Sequence, residues 1–316
     1  MNVILLFPGQ GSQKPGMGKD LAGAFPAAHE AFQQIDDALG LALSTLCFEG
    51  PAEELTLTSN AQPALLAHGA AAWAVVRDIV AGRIVAAAGH SLGELTAHYA
   101  AGSFARDAGA RLVRTRGEIM LDIGAARPGT MAAILGRLST PIEAVCEQAT
   151  REAGVVVPAN YNTDEQVVVS GEVAGVERAM ELSKEAGAKR AIRLAVSGAF
   201  HSPLMEPAEI AFSGAIKGTT FVDPGFPVYS NVTAEPCTAA ADARTLLLRQ
   251  LTSPVRWSTE VRAMAASYPD ALYVELGPGN VLCGLVSRIV HGARTVNVGA
   301  PADVDRLVEK LAETTA

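Results

Sequence analysis

Ile84-Val85-Ala86-Ala87-Ala88-Gly89-His90-Ser91-Leu92-Gly93-Glu94 decides how this chain folds. Ile84–Ala88 is apolar at every position, which predicts a strand buried on both faces. Gly89-His90-Ser91-Leu92-Gly93 matches G-x-S-x-G, and a helical pattern over Gly93–Ala101 follows. Strand, tight turn and helix in that order are the setting of a nucleophile elbow. The glycines permit the tight turn. Ser91 Oγ then stands at the helix N-terminus, where the dipole and the backbone N–H of Leu92 favour a developing oxyanion. The competing reading is an ordinary serine in a glycine-bounded turn; the flanking elements favour the nucleophile.

The same rhythm recurs outward from this stretch. Val3–Phe7 precedes Gly9-Gln10-Gly11, Leu272–Leu276 precedes Gly277-Pro278-Gly279, and Pro227–Val232 and Thr295–Val298 are further strand candidates. Helical patterns cover Asp20–Leu39, Gln62–Ala81, Asp107–Gly124, Ala239–Leu251, Ser258–Tyr268, Val281–Val290 and Ala302–Thr314, with Asp107 and Ser258 as N-caps. Apolar strands separated by helices argue an α/β fold with a mostly parallel sheet covered on both sides.

Residues 128–196 break the pattern. Strands at Thr130–Leu135, Val155–Ala159, Gln166–Ser170 and Arg190–Val196 alternate with helices at Pro141–Ala153, capped by Thr140, and Val173–Ala186. Asn160-Tyr161-Asn162-Thr163-Asp164 reads as the loop between the middle strands. The order β-α-β-β-α-β is the ferredoxin-like unit, here a small domain at 128–196 inserted into a larger one formed by 1–127 and 197–316.

Composition bounds the function. Of 316 residues, 49% are hydrophobic and 18% charged, which excludes a mainly disordered chain. The net charge of −8 argues against binding to nucleic acid or anionic membrane through bulk electrostatics. Cys47, Cys146, Cys237 and Cys283 form no CxxC and have no His at metal-ligand spacing, so no metal is expected. Met1–Pro8 lacks the basic start of a signal peptide, and no apolar run is long enough to span a membrane; a soluble cytoplasmic protein is expected.

A serine nucleophile needs a base. His29 and His68 sit in helical patterns, His98 lies in the helix after the elbow, His291 lies in a polar stretch, and the elbow aims His90 away from its neighbour. His201, in Ser197-Gly198-Ala199-Phe200-His201-Ser202-Pro203, falls where a cleft between the domains would open. Position alone leaves a plain loop histidine and a catalytic base both open. Asp122 and Asp164 qualify as a third triad member only by chain order. Gly9-Gln10-Gly11 is not a dinucleotide fingerprint, because Lys14 stands where the third glycine belongs; it reads as a loop whose N–H groups approach a reacting oxygen. Arg111 and Arg114 share a helical face that Arg116 does not. Arg116 is either solvated charge or an inward guanidinium able to hold a carboxylate.

Phe7-Pro8-Gly9-Gln10-Gly11-Ser12-Gln13, Gly89–Glu94, Arg116-Gly117 with Met120, Gly198-Ala199-Phe200-His201-Ser202 and Gln250-Leu251 with Pro254-Val255-Arg256-Trp257 occur in this order over nearly the whole chain. Together they resemble the malonyl-CoA:acyl carrier protein transacylases. The resemblance implies an α/β-hydrolase-like parallel-sheet domain with an inserted ferredoxin-like small domain. It implies malonyl transfer from malonyl-CoA to acyl carrier protein in fatty acid biosynthesis, without a metal or redox cofactor. In that reading Ser91 is the nucleophile, His201 its base, and Gln10 and Leu92 supply the oxyanion hole. Arg116 binds the malonyl carboxylate, and Gln250 orients His201 through its main-chain carbonyl, so replacing the Gln250 side chain should be mild. Asn160, Asn162 and Gln166 would line the cleft from the small domain, Met120 and Phe200 from the large one. A basic patch of Lys184, Lys189, Arg190 and Arg193 is the expected docking surface for the acidic carrier or for coenzyme A. Polyketide synthesis, a malonate decarboxylase, a serine hydrolase and a catalytically dead carrier-binding module are the alternatives.

Overall fold

Five consecutive residues with no exposed surface, Val3–Phe7, form β1 in the interior of the larger sheet. Val3, Leu5 and Phe7 point into one apolar cluster, Ile4 and Leu6 into another on the opposite face. An all-apolar strand needs helices on both faces, and the chain supplies them.

The computed structural model describes residues 1–313. After β1 come α1 (Lys19–Ala24), α2 (Pro26–Leu39), α3 (Leu43–Glu49), α4 (Ala52–Thr56), α5 (Thr58–Val76), β2 (Ile84–Gly89), α6 (Leu92–Ala100) and α7 (Arg106–Ala126). Next are β3 (Thr130–Leu135), α8 (Ile142–Glu152), β4 (Val156–Thr163), β5 (Gln166–Gly171), α9 (Val173–Glu185) and β6 (Arg190–Arg193). A 3-10 turn at Pro203–Met205 leads to α10 (Glu206–Gly218), β7 (Val228–Tyr229), β8 (Pro236–Cys237), α11 (Ala240–Arg249) and α12 (Trp257–Ser267). The chain continues through β9 (Leu272–Leu276), α13 (Val281–Ile289), β10 (Arg294–Val298) and α14 (Pro301–Ala312).

The larger sheet has the order β10-β9-β1-β2-β7-β8. It is parallel except for the final β7–β8 pair. The smaller sheet, β4-β5-β3-β6, is antiparallel throughout, with α8 and α9 packed on its buried face. An α/β fold with a mixed, mainly parallel sheet and a second small antiparallel sheet is what the strand patterns predict. The smaller sheet is tied to the rest of the chain where β4 bulges. Val255 N–H donates to Ala159 C=O and Tyr161 N–H donates to Val255 C=O, which ties β4 to the segment leading into α12.

Several local expectations are corrected. The helix expected over Asp20–Leu39 breaks at Phe25, which is extended because Pro26 follows it. Asp107, Thr140 and Ser258 cap nothing; Ala105, Pro141 and Arg256 occupy those N-cap positions without a side-chain cap bond. The helix expected over Gln62–Ala81 begins earlier, at Thr58, and carries Pro63 inside it. Proline has no N–H for the carbonyl four residues back; that carbonyl, of Ser59, accepts from Arg114 Nη1 at 3.0 Å instead. Asn160 and Asn162 lie in β4, not in a loop, and Pro227–Val232 is strand only at Val228–Tyr229. The segments α3, α4 and α10 were not foreseen. Thr314, the expected end of the last helix, lies outside the described residues.

Close approach explains the elbow glycines. A Cβ at Gly89 would lie 1.9 Å from the carbonyl carbon of Gly93, and one at Gly93 would lie 2.0 Å from Phe7 O. The start of α6 therefore sits directly against the ends of β1 and β2.

Candidate active site

Ser91 occupies the N-cap of α6 with φ 52 and ψ −109, a left-handed conformation that is costly for a residue with a Cβ. The sharp turn lifts Oγ out of the sheet toward the loop that returns from the smaller sheet. There His201, also left-handed at φ 58, places Nε2 2.8 Å from Ser91 Oγ. On its other side, His201 Nδ1 is 2.9 Å from Gln250 O and 3.1 Å from Ser253 O. Two carbonyls can only accept, so Nδ1 carries the hydrogen and Nε2 presents its lone pair to the serine hydroxyl. Burial, reinforced by the Arg116 charge, holds the His201 imidazole down to about 3, so the ring is neutral and ready to take a proton. Among the described residues no carboxylate meets His201 Nδ1; main-chain carbonyls orient the ring.

Arg116 projects from α7 into the same place and is 1% exposed, which rules out the solvated reading. Its Nη1 donates to Gln62 Oε1 at 2.6 Å, and its Nη2 donates to Gln250 Oε1 at 2.9 Å and lies 3.3 Å from Ser91 Oγ. Both amide partners are neutral, so the guanidinium keeps its charge within reach of whatever is attached to Ser91. Arg111 and Arg114 instead pair with Asp107 and Glu118 along the outer face of α7.

The serine, histidine and arginine face a cavity of about 510 Å³, also lined by Gln10, Leu92, Met120, Asn160 and Phe200. Gln10 follows β1 and is steadied by its Nε2 bond to Thr58 Oγ1. Among the described residues no group of three or more His, Cys, Asp or Glu could hold a metal ion.

A serine–histidine pair with a buried guanidinium over the serine suits acyl transfer from an anionic acyl group, and the comparisons with known proteins agree. The acyl transferase domain model matches residues 4–315. The malonyl CoA-acyl carrier protein transacylase of Bacillus subtilis (strain 168) is 43% identical, with 98% of each chain covered. A crystal structure of acyl-carrier-protein-S-malonyltransferase from Bartonella henselae superposes with a TM-score of 0.93 at 40% identity, covering 99% of this chain and 100% of that one. A malonyl-transacylase solved in complex with a type II PKS acyl-carrier protein also gives 0.93, at 39% identity over 98% and 100% of the two chains. The chain belongs to the malonyl CoA-acyl carrier protein transacylase family.

Within this family member not every residue expected at the cleft reaches it. Gln166 begins β5 and lines a separate surface hollow with Leu138 and Pro141. The β4–β5 hairpin carries it to the outer end of the small sheet, so it is no cleft residue. Asn162 is buried behind the cavity, where its Oδ1 meets His90 Nε2 at 2.8 Å, so it touches the neighbour of Ser91. Lys189 and Arg190 are exposed at the start of β6, whereas the cavity is lined by Leu194, Ala195 and Val196 after that strand ends. Arg193 is bonded to Thr130 Oγ1 and Glu177.

The structure also brings in Asn231 and Glu260, which no motif marked, and joins them to two motif residues, Glu94 and Gln250. Asn231, Glu94 and Glu260 lie with Gln250 beneath the elbow, all without exposed surface. Burial raises Glu94 to about 7 and holds Glu260 well above the usual carboxylate range. Gln250 Nε2 donates to Ser91 O at 3.0 Å, to Glu94 Oε2 at 2.5 Å and to Asn231 Oδ1 at 3.2 Å. The Gln250 side chain is thus the junction between Arg116 and the elbow, and the expectation of a mild effect is revised. Gln250→Ala is expected to lower malonyl transfer at least tenfold, because each buried polar group left unpaired costs roughly 1–3 kcal/mol. Steady-state kinetics on the variant give the answer; a rate within twofold of wild type would return the role to the main-chain carbonyl alone.

Proposed function

We propose that the chain transfers the malonyl group of malonyl-CoA to the phosphopantetheine thiol of acyl carrier protein through a malonyl-Ser91 ester, in fatty acid biosynthesis. The observation that carries this is the buried Arg116 guanidinium 3.3 Å from Ser91 Oγ. A malonyl group esterified at Ser91 places its free carboxylate three bonds beyond Oγ, beside that charge. A neutral acyl group would leave the guanidinium unpaired.

In the first half-reaction His201 Nε2 takes the Ser91 hydroxyl proton as Oγ attacks the thioester carbonyl. The N–H groups of Gln10 and Leu92 receive the tetrahedral oxyanion. The intermediate collapses, the C–S bond breaks, and the imidazolium returns its proton to the coenzyme A sulfur. The carrier thiol then gives its proton to His201 and attacks the serine ester; the ester C–O bond breaks, the imidazolium returns that proton to Ser91 Oγ, and the carrier leaves as malonyl thioester. Kinetics are ping-pong, and no cofactor is needed. Met120, Asn160 and Phe200 shape the acyl site, and Lys189 and Arg190 offer positive charge to an acidic partner.

In the same reading, residues 1–127 and 197–316 form an α/β-hydrolase-like domain and 128–196 an inserted ferredoxin-like one, with the site between them. No helix among the described residues is long and apolar enough to cross a membrane. The carrier-bound relative from a type II PKS gives a second reading, malonyl supply to polyketide synthesis by the same chemistry.

Intact-mass measurement after mixing with malonyl-CoA tests the proposal. The expected result is a malonyl adduct that persists in buffer and is discharged by holo acyl carrier protein. Rapid loss of the adduct to water without carrier would make the protein a hydrolase; no adduct at all would sink the reading.

A further inference from the structure

We infer that Asn231 is a positioning residue for the elbow, clamping the two peptide groups on either side of His90 so that Ser91 Oγ stays aimed at His201. The inference rests on the malonyl-serine reading above. Ser91 N–H donates to Asn231 Oδ1 at 2.8 Å, and Asn231 Nδ2 donates to Gly89 C=O at 2.8 Å. One amide thus ties the peptide before His90 to the peptide after it. The turn it spans holds Ser91 in a strained backbone conformation, which persists only when surrounding contacts over-determine it.

The orientation of the amide is set by its other partners. Asn231 Nδ2 also donates to Glu260 Oε1 at 3.0 Å, and Oδ1 accepts from Gln250 Nε2 at 3.2 Å. Turned over, the amide would set donor against donor at both Ser91 N–H and Gln250, and acceptor against acceptor at Gly89 C=O. Its own backbone N–H is fixed by Glu94 Oε2 at 3.1 Å. Asn231 reaches this place because β7 ends at Tyr229 and the chain turns sharply, Ala234 N–H donating to Ser230 C=O at 2.7 Å. Every hydrogen-bonding site of the side chain is used, and none of its partners is substrate. Asn231 therefore acts through Ser91.

The test compares Asn231→Asp and Asn231→Ser with wild type, each purified as the folded monodisperse fraction. Aspartate keeps the acceptor for Ser91 N–H but cannot donate to Gly89 C=O or Glu260. Serine is too short for either. The readouts are the rate of malonyl-enzyme formation per folded molecule and the KM for malonyl-CoA. Misplacing the nucleophile is expected to cut the acylation rate on the order of 100-fold in both variants while KM stays within about threefold, since the cavity walls are unchanged. A residue that merely supports the fold would give fewer folded molecules, each acylating at the wild-type rate, and that outcome overturns the inference. So would two variants that yield no folded protein. Wild-type enzyme that forms no adduct would instead remove the acyl-transfer reading itself.

Discussion

Ser91→Ala is expected to form no covalent malonyl-enzyme on exposure to malonyl-CoA, while its fold and melting behaviour stay close to wild type. The substitution removes one oxygen and keeps the Cβ, so the backbone strain at φ 52 is the same in both proteins. What disappears is the hydroxyl held 2.8 Å from His201 Nε2 at the N-terminus of α6. The serines of the returning loop are engaged elsewhere, Ser197 with Thr58 Oγ1 and Ser202 with Ala199 C=O, and neither has a base within the described contacts. Intact mass is the measurement, and any malonyl adduct on the variant would reassign the nucleophile. His201→Ala should leave the nucleophile in place but slow acylation by roughly 100-fold or more. The pH profile carries the same information. Protonation destroys the base, and burial holds the His201 imidazole down to about 3, so the free enzyme should keep its acylation rate as pH falls through 6.5. An acid limb at an ordinary histidine value would show that the ring is wetter than its burial indicates.

Arg116→Ala separates malonyl from acetyl transfer. Truncation removes the guanidinium beside Ser91 and, in the proposed malonyl complex, would break a buried ion pair at a cost on the order of 3–5 kcal/mol. Malonyl transfer is expected to fall by more than roughly 100-fold. The same truncation strips Gln62 Oε1 and Gln250 Oε1 of their donor, a cost shared by every substrate. Acetyl transfer measures that shared cost, and it should fall far less or rise, because a neutral acyl group no longer faces an unpaired guanidinium. The ratio of the two activities is therefore the decisive quantity. Parallel losses would make Arg116 a support for Gln250 and the elbow, and the malonyl carboxylate would need another partner.

Much of this molecule is legible in one dimension because its determinants are local. Val3–Phe7 and Leu272–Leu276 are apolar at almost every position, and both are strands over just those residues. Gly89 and Gly93 announce the elbow because only glycine allows the backbone of α6 so near β1 and β2. Helix ends are less legible. Asp107 and Ser258 have capping side chains, yet packing started their helices earlier and left those side chains without a cap bond. Asn160 and Asn162 look like loop residues, but the β4 hairpin and its tie to Val255 draw them into a strand.

The site divides along the same line. The chain alone determined the main strands and most of the helices, the tight turn that carries Ser91 and the short motifs around His201 and Arg116, since each depends on residues within a few positions of one another. Tertiary structure decided that Arg116 is buried, that His201 meets Ser91, and that Gln166 stays outside. It also decided that Gln62, Glu94, Asn231, Gln250 and Glu260 form one network under the elbow. Those five side chains come from α5, α6, the turn after β7, the end of α11 and α12. No periodicity links positions so far apart. Each is an ordinary polar residue until the two faces of the parallel sheet are covered and water is excluded, and then every donor must find an acceptor within hydrogen-bond reach.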